Sequence, residues 1–191
     1  LIGLSYYNMA FGQAMTILFP VIAKDVLGVG PEALGLMWAA QGVGSLAGVF
    51  ISARYSSPGN QRRLLVLNPV LMGASMIAFG FIPIYFASLF VLFLFGTGAS
   101  ASNVVIQQNL QLLVPNDFRG RVMGIWSIVH TSLRPAGEMQ FTGVAALFTA
   151  PISLIFSGAM VMAAALFYTA PSRHAHALKD LREQAEVERA R

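Results

Sequence analysis

Three ionisable side chains, His130, Arg134 and Glu138, follow one another at intervals of four residues inside an apolar stretch of the chain. Residues four apart lie on the same face of an α-helix, so the three side chains would point the same way. The stretch runs from about Val122 to Phe148, which places Arg134 near its middle. In a membrane, a charge at that depth costs at least about 2.5–3.5 kcal/mol and needs a partner or a water-filled cavity. Glu138 is the nearest opposite charge.

Two interpretations of this triplet are open. In the first, Arg134 and Glu138 neutralise each other and hold their helix against its neighbours. In the second they line a transport path, where Arg134 attracts an anionic group or lowers the pKa of Glu138, and a protonatable Glu138 couples proton movement to substrate movement. Pro135 removes a backbone donor beside Arg134. A kink or local opening is expected there, and broken helices near the bilayer midplane often form transporter sites.

Other polar residues in apolar stretches are weaker candidates for contact with a substrate. Asn103, Gln107 and Gln111 share one helical face by their spacing of four. They could line an inner vestibule or simply end the helix near lipid headgroups, and the second interpretation is the better one because this end lies close to water. Asn8 and Gln41 offer hydrogen bonds in the first and second apolar stretches.

Six apolar stretches are long enough, or nearly so, to cross about 30 Å of hydrocarbon as the helices that would carry these side chains. The composition agrees, because 56% of residues are hydrophobic and 10% are charged, whereas soluble domains carry about 25% charged residues. We predict an all-α membrane protein with a six-helix bundle over residues 1–171 and a charged cytoplasmic tail helix over 172–191. The approximate spans are Leu1–Ala23, Ala33–Ala53, Leu64–Pro83, Ile84–Val105, Val122–Phe148 and Ile152–Ala170.

Small residues and proline add detail to this bundle. Gly44 and Gly48 form a GxxxG pattern in the second stretch, and simple close packing of helices is its expected role. The third and fourth stretches are nearly continuous, so a very tight turn is predicted at Pro83. The alternative, a set of buried helices in a large soluble protein, is disfavoured by the length and number of the stretches.

Basic residues set the orientation, because cytoplasmic loops collect Lys and Arg. They fall in alternate connectors, whereas the opposite connectors contain Lys24 together with Asp25 and Glu32. Both chain ends are therefore predicted to be cytoplasmic. The scattered placement does not suit nucleic-acid binding, despite the net charge of +4. The connector arginines, expected to anchor at anionic headgroups, are Arg54, Arg62, Arg63, Arg119 and Arg121.

Motifs of catalysis and metal binding are missing from the sequence. Cysteine is absent, and there is no HExxH, GxSxG or Walker A pattern. His174 and His176 lie in the tail, which leaves His130 as a lone histidine in the membrane stretches, and one histidine does not make a metal site. We therefore predict no enzyme activity, no cofactor and no ATP-driven pumping within this chain.

The segment from Leu110 to Gly124, LQLLVPNDFRGRVMG, carries a family resemblance. It resembles the connector between helices 10 and 11 in the branch of the major facilitator superfamily that includes enterobactin exporters and macrolide efflux proteins. The Pro135-Ala136-Gly137 run resembles the small-residue pattern of helix 11 in that branch. The superfamily's basic loop motif is degenerate here, since Gly48 through Arg54 contains no acidic residue.

This resemblance implies the C-terminal six-helix half of a twelve-helix transporter in the bacterial cytoplasmic membrane. It implies proton-coupled export of small organic molecules by alternating access, with a missing N-terminal half as the partner. The chain begins inside an apolar stretch, as expected of a fragment. Two alternatives stay open: transport of another metabolite such as a sugar, and a scaffold or receptor on a degenerate transporter fold. The resemblance assigns no role to Arg134 and Glu138.

Overall fold

The computed structural model describes residues 14–55, 60–114, 118, 120–128, 131 and 150–169. Every element in these ranges is helical, which confirms the all-α prediction for the part described. The helices are α1 (Ala14–Val21), continued by a π-helical segment (Ile22–Val26), α2 (Pro31–Tyr55), α3 (Gln61–Phe81), α4 (Tyr85–Leu113), α5 (described over 120–128) and α6 (Ala150–Thr169).

Three described helices are long and apolar enough to cross a membrane: Pro31–Tyr55, Arg63–Phe81 and Tyr85–Gln111. Pro151–Phe167 forms a shorter apolar helix. Large apolar side chains such as Phe86 remain exposed on the outside of these helices, as expected of a surface that faces lipid. The count of six spans stays a prediction, because much of the first and fifth stretches, and the tail, lie outside the described residues.

The ends of the helices correct one predicted boundary. The fourth span was predicted to end at Val105, but α4 continues to Leu113. Hydropathy falls where Gln107 and Gln111 begin to appear, yet glutamine favours helix about as well as leucine does. The tight turn at Pro83 is confirmed, because Ile82 and Ile84 are extended and join α3 directly to α4.

Helices α2 and α4 run parallel in close contact, although α3 separates them in the chain. A side chain added at Gly44 would meet the backbone of Phe93, and one added at Gly48 would meet the backbone of Thr97. Each step of four residues on α2 is thus matched by four residues on α4. The prediction that the GxxxG pattern serves helix packing is confirmed.

Hydroxyl groups reinforce this contact. The Thr97 Oγ1 donates to the Gly44 carbonyl at 3.1 Å and to the Phe93 carbonyl at 2.9 Å. One turn beyond the contact of Gly48 with Thr97, the Ser52 Oγ donates to the Ala101 carbonyl at 3.5 Å. These bonds fix the register of α2 against α4.

Helix α3 packs against α4 on one side and α6 on the other. A Cβ atom placed on Gly98 of α4 would lie 2.9 Å from the Asn68 carbonyl oxygen and 2.8 Å from the Met72 nitrogen. A Cβ atom on Gly73 of α3 would lie 2.6 Å from the carbonyl oxygen of Gly158 on α6. Glycine at these crossings lets the helix backbones approach directly, so the four helices form a row in the order α2, α4, α3 and α6.

Helix α1 contacts both α2 and α6, the two outer helices of this order. Its Phe19 is fully buried and lies edge-on to Trp38 of α2, with 4.9 Å between the ring centres. The same ring lies 6.2 Å from that of Phe79 on α3. The buried cluster around Phe19 includes Met76 and Leu92, so α1, α2, α3 and α4 share one apolar core.

Candidate functional site

The strongest candidates from the sequence, His130, Arg134 and Glu138, lie outside the described residues, as does Asn8. Their shared face and the proposed pairing of Arg134 with Glu138 stay predictions. Gln41, Asn103 and Gln107 lie within the described residues, so the structure shows where each of them is.

Gln41 occupies the α2 face that meets α4. Its carbonyl lies against Gly96, where a side chain on Gly96 would collide with it. The side-chain Oε1 is buried and has no hydrogen-bond donor among the residues that the structure describes. A buried acceptor without a donor costs about 1–3 kcal/mol. A donor outside the described residues, from the substrate or from the protein, would remove this cost.

Asn103 and Gln107 are half-buried on α4, whereas Gln111 is exposed. The contact of Ser52 with Ala101 lies one turn before the end of α2. Helix α4 therefore extends roughly nine residues past α2, or about 13 Å at 1.5 Å per residue. Gln107 and Gln111 lie on this projecting part, an arrangement that favours the headgroup interpretation over a vestibule.

The polar candidates do not form one cluster. Gln41 lies beside the part of α4 just before Gly96, whereas Asn103 lies further towards the C-terminal end of α4. At 1.5 Å per residue the two amides are separated by about 15–20 Å along the helix axis. Gln41 and Asn103 cannot contact the same small group, so they would act at different depths of the membrane.

The connector arginines lie at helix ends. Arg54 is exposed in the last turn of α2, Arg63 is exposed in the first turn of α3, and Arg121 is exposed near the start of the described part of α5. Arg62 belongs to the first turn of α3, and Arg119 lies outside the described residues. The connection between α2 and α3 places Arg54 and Arg63 at one end of the bundle, as their anchoring role requires. That role stays a prediction.

The sequence did not indicate two buried polar side chains, Asn68 on α3 and Ser102 on α4. Asn68 is 8% exposed and Ser102 is 1% exposed. The sequence feature that could have indicated Asn68 is the Asn68-Pro69 dipeptide, which is unusual within an apolar stretch. Among the described residues there is no group of three or more His, Cys, Asp or Glu side chains that could hold a metal ion.

Comparison with known proteins agrees with these features. Residues 5–188 match the profile of the family MFS_3, described as transmembrane secretion effector. The chain is similar to the enterobactin exporter EntS of Escherichia coli O81 (strain ED1a), Shigella flexneri and Citrobacter koseri (strain ATCC BAA-895 / CDC 4225-83 / SGSC4696). Each is 23% identical over 150 residues, which cover 78% of this chain and 36% of the relative. The chain thus matches little more than a third of the length of these relatives.

Proposed function

The chain belongs to the transmembrane secretion effector family of the major facilitator superfamily, and on that premise we propose that it forms half of a transporter that exports small organic molecules. The observation that carries this proposal is the match over residues 5–188 to that family, together with relatives named as enterobactin exporters. We propose small organic molecules of the drug or siderophore type as its substrates.

In this proposal the chain supplies a six-helix half, and a second six-helix half of the same transporter faces it across a central cavity. The protein lies in the bacterial cytoplasmic membrane with both ends of this chain in the cytoplasm. The closely packed α2–α4 and α3–α6 pairs support movement as one body, because their glycine contacts leave little room for sliding. Alternating access then requires the two halves to rock against each other.

Export can be tested with the full-length gene in cells that lack their other exporters. We expect lower accumulation of at least one compound in a panel that includes enterobactin and cationic and neutral drugs. Collapse of the proton gradient with an ionophore is expected to abolish the difference from cells with an empty vector. Unchanged accumulation of every compound would contradict export and favour a scaffold or receptor.

Gln41 gives a site-directed prediction. Its buried Oε1 is proposed to accept a hydrogen bond from the substrate, so Gln41→Leu removes that bond, whereas the Oε1 has no hydrogen-bond partner within the described protein to lose. We expect transport to fall about three- to tenfold, as one hydrogen bond contributes about 0.5–1.5 kcal/mol, while the melting temperature stays the same or rises. Initial efflux rates and thermal unfolding of the purified protein measure the two effects.

The matched control is Gln111→Leu, which changes an exposed glutamine on α4. It is expected to leave the efflux rate near that of the unmodified protein. A lower melting temperature for Gln41→Leu with unchanged transport would show that the donor to Gln41 belongs to the protein, and would remove Gln41 from the substrate path.

A further inference from the structure

The buried hydroxyl groups of this bundle follow one rule. Ser75 and Ser88 each donate to the carbonyl four residues earlier, at 2.7 Å and 2.9 Å, and Ser157 does the same with Ser153. Thr97 and Ser52 donate to carbonyl groups across the α2–α4 contact. A hydroxyl in an apolar interior is stable only with such a partner.

Besides Gln41, two polar side chains that are more deeply buried have no such partner. The Asn68 Nδ2 and the Ser102 Oγ have no hydrogen-bond partner within the described part of the chain. Both residues are more than nine-tenths buried, at 8% and 1% exposure. Each leaves a polar group in an apolar interior, a loss of about 1–3 kcal/mol if nothing else binds there.

The two groups lie at the same place in the α3–α4 contact. Gly98 of α4 meets Asn68 and Met72 of α3, and Ser102 is one turn further along the same face of α4. The helices are antiparallel, and helical side chains tilt towards the start of their own helix. The Asn68 side chain therefore tilts along α4 in the direction of Ser102, while Ser102 tilts back towards Gly98.

A third polar group belongs to this place. Pro69 lies inside α3 and is fully buried. Proline has no N–H, so it cannot donate to the carbonyl of Leu65, one turn earlier in α3. Leu65 packs against the cluster of Ile106 and Leu110 on α4 and Ala165 on α6, just beyond Ser102. A donor-rich amide, a hydroxyl and a carbonyl that lacks its usual donor thus lie on neighbouring turns where α3 meets α4.

We propose that Asn68 and Ser102 bind one buried water molecule in the α3–α4 contact, beside the Leu65 carbonyl. A water molecule suits this set because it can accept from both the Asn68 Nδ2 and the Ser102 Oγ and donate to the Leu65 carbonyl. Buried waters typically make about three such bonds to polar groups that are otherwise unsatisfied. The site is independent of the transported substrate.

A double-mutant cycle on the full-length protein tests this site. Asn68→Leu and Ser102→Ala each remove one ligand of the water at similar volume. We expect each to lower the melting temperature by about 1–2 °C, since one hydrogen bond shifts it by about 2–4 °C in a chain of about 150–250 residues and by less in the longer full-length protein. The double variant is expected to melt no lower than the less stable single variant, because the same water is lost in all three.

Ser75→Ala serves as the control, since Ser75 is a buried hydroxyl of α3 that bonds to its own Leu71 carbonyl. Its effect is expected to add to that of Asn68→Leu. An unchanged or higher melting temperature for Ser102→Ala would overturn the proposal. That result would mean that the Ser102 hydroxyl has no hydrogen-bond partner, since removing an unpartnered buried hydroxyl does not destabilise a protein.

An experimental density map of the unmodified protein gives a second readout that does not depend on variants folding. A peak within about 2.7–3.2 Å of both the Asn68 Nδ2 and the Ser102 Oγ is the expected result. Direct contact of the two side chains, or an empty space between them, would overturn the water site.

Discussion

Replacing Gly44 with alanine is expected to destabilise the protein by at least about 3 kcal/mol or to prevent folding, the cost of severe overpacking. The added Cβ would collide with the carbonyl oxygen of Phe93 and lie 2.8 Å and 2.9 Å from its carbonyl carbon and Cα. These are backbone atoms of α4, so no side-chain rotation can relieve the contact. Helices α2 and α4 would have to separate, which would also break the bond from Thr97 to the Gly44 carbonyl.

Gly42→Ala is the matched control, because Gly42 is in the same helix and nothing lies within 4 Å of its added Cβ. Alanine favours a helix over glycine by about 1 kcal/mol, so this variant is expected to be as stable as the unmodified protein or more so. Folded yield in the membrane and thermal unfolding of the full-length protein measure both variants. Equal effects of the two changes would contradict the α2–α4 contact.

The second large effect is expected at Arg134, which lies outside the described residues. If Arg134 and Glu138 form a pair within the membrane, Arg134→Ala leaves a carboxylate without its partner. Breaking a buried ion pair from one side costs about 3–5 kcal/mol, so little folded protein is expected. The double variant Arg134→Ala, Glu138→Ala removes both charges and is expected to regain most of the folded yield.

Transport by this double variant separates the two interpretations of the pair. Folded protein without efflux would support a role in the transport path, whereas restored efflux would leave a structural role alone. Glu138→Gln tests proton coupling, because the glutamine amide does not take up and release a proton as a carboxylate does. Efflux that still responds fully to a pH gradient would exclude Glu138 as the proton carrier.

Much of the fold could be predicted from apolar stretches alone. The second, third, fourth and sixth predicted spans correspond to α2, α3, α4 and α6, and the turn at Pro83 is present. This succeeds because an uninterrupted apolar run of about 20 residues has few structures other than a helix when lipid is the solvent. The predicted end at Val105 was wrong because a fall in hydropathy marks where the chain leaves the apolar part of the membrane. The helix itself can continue beyond that point.

Pairing between helices could not be predicted. The GxxxG pattern indicates that Gly44 is close to another backbone, but many apolar helices could supply that backbone. The partner is specified by details spread over α4, such as Gly96 and the Thr97 hydroxyl. The sequence also does not show whether a buried amide has a hydrogen-bond partner. Gln41 and Asn68 are both amides in apolar stretches, and the neighbours of each are known only from the structure.

The register between α2 and α4 has a consequence for how the protein is made. The partners in this contact are 49 residues apart in the chain, as Ser52 and Ala101 illustrate. At a synthesis rate of about 5–20 residues per second, α2 precedes its partner by about 2–10 s. During that interval the glycine face of α2 has no native neighbour, and α3 must enter the bilayer first. The glycine face of α2 therefore reaches its native packing only after Ala101 has been synthesised.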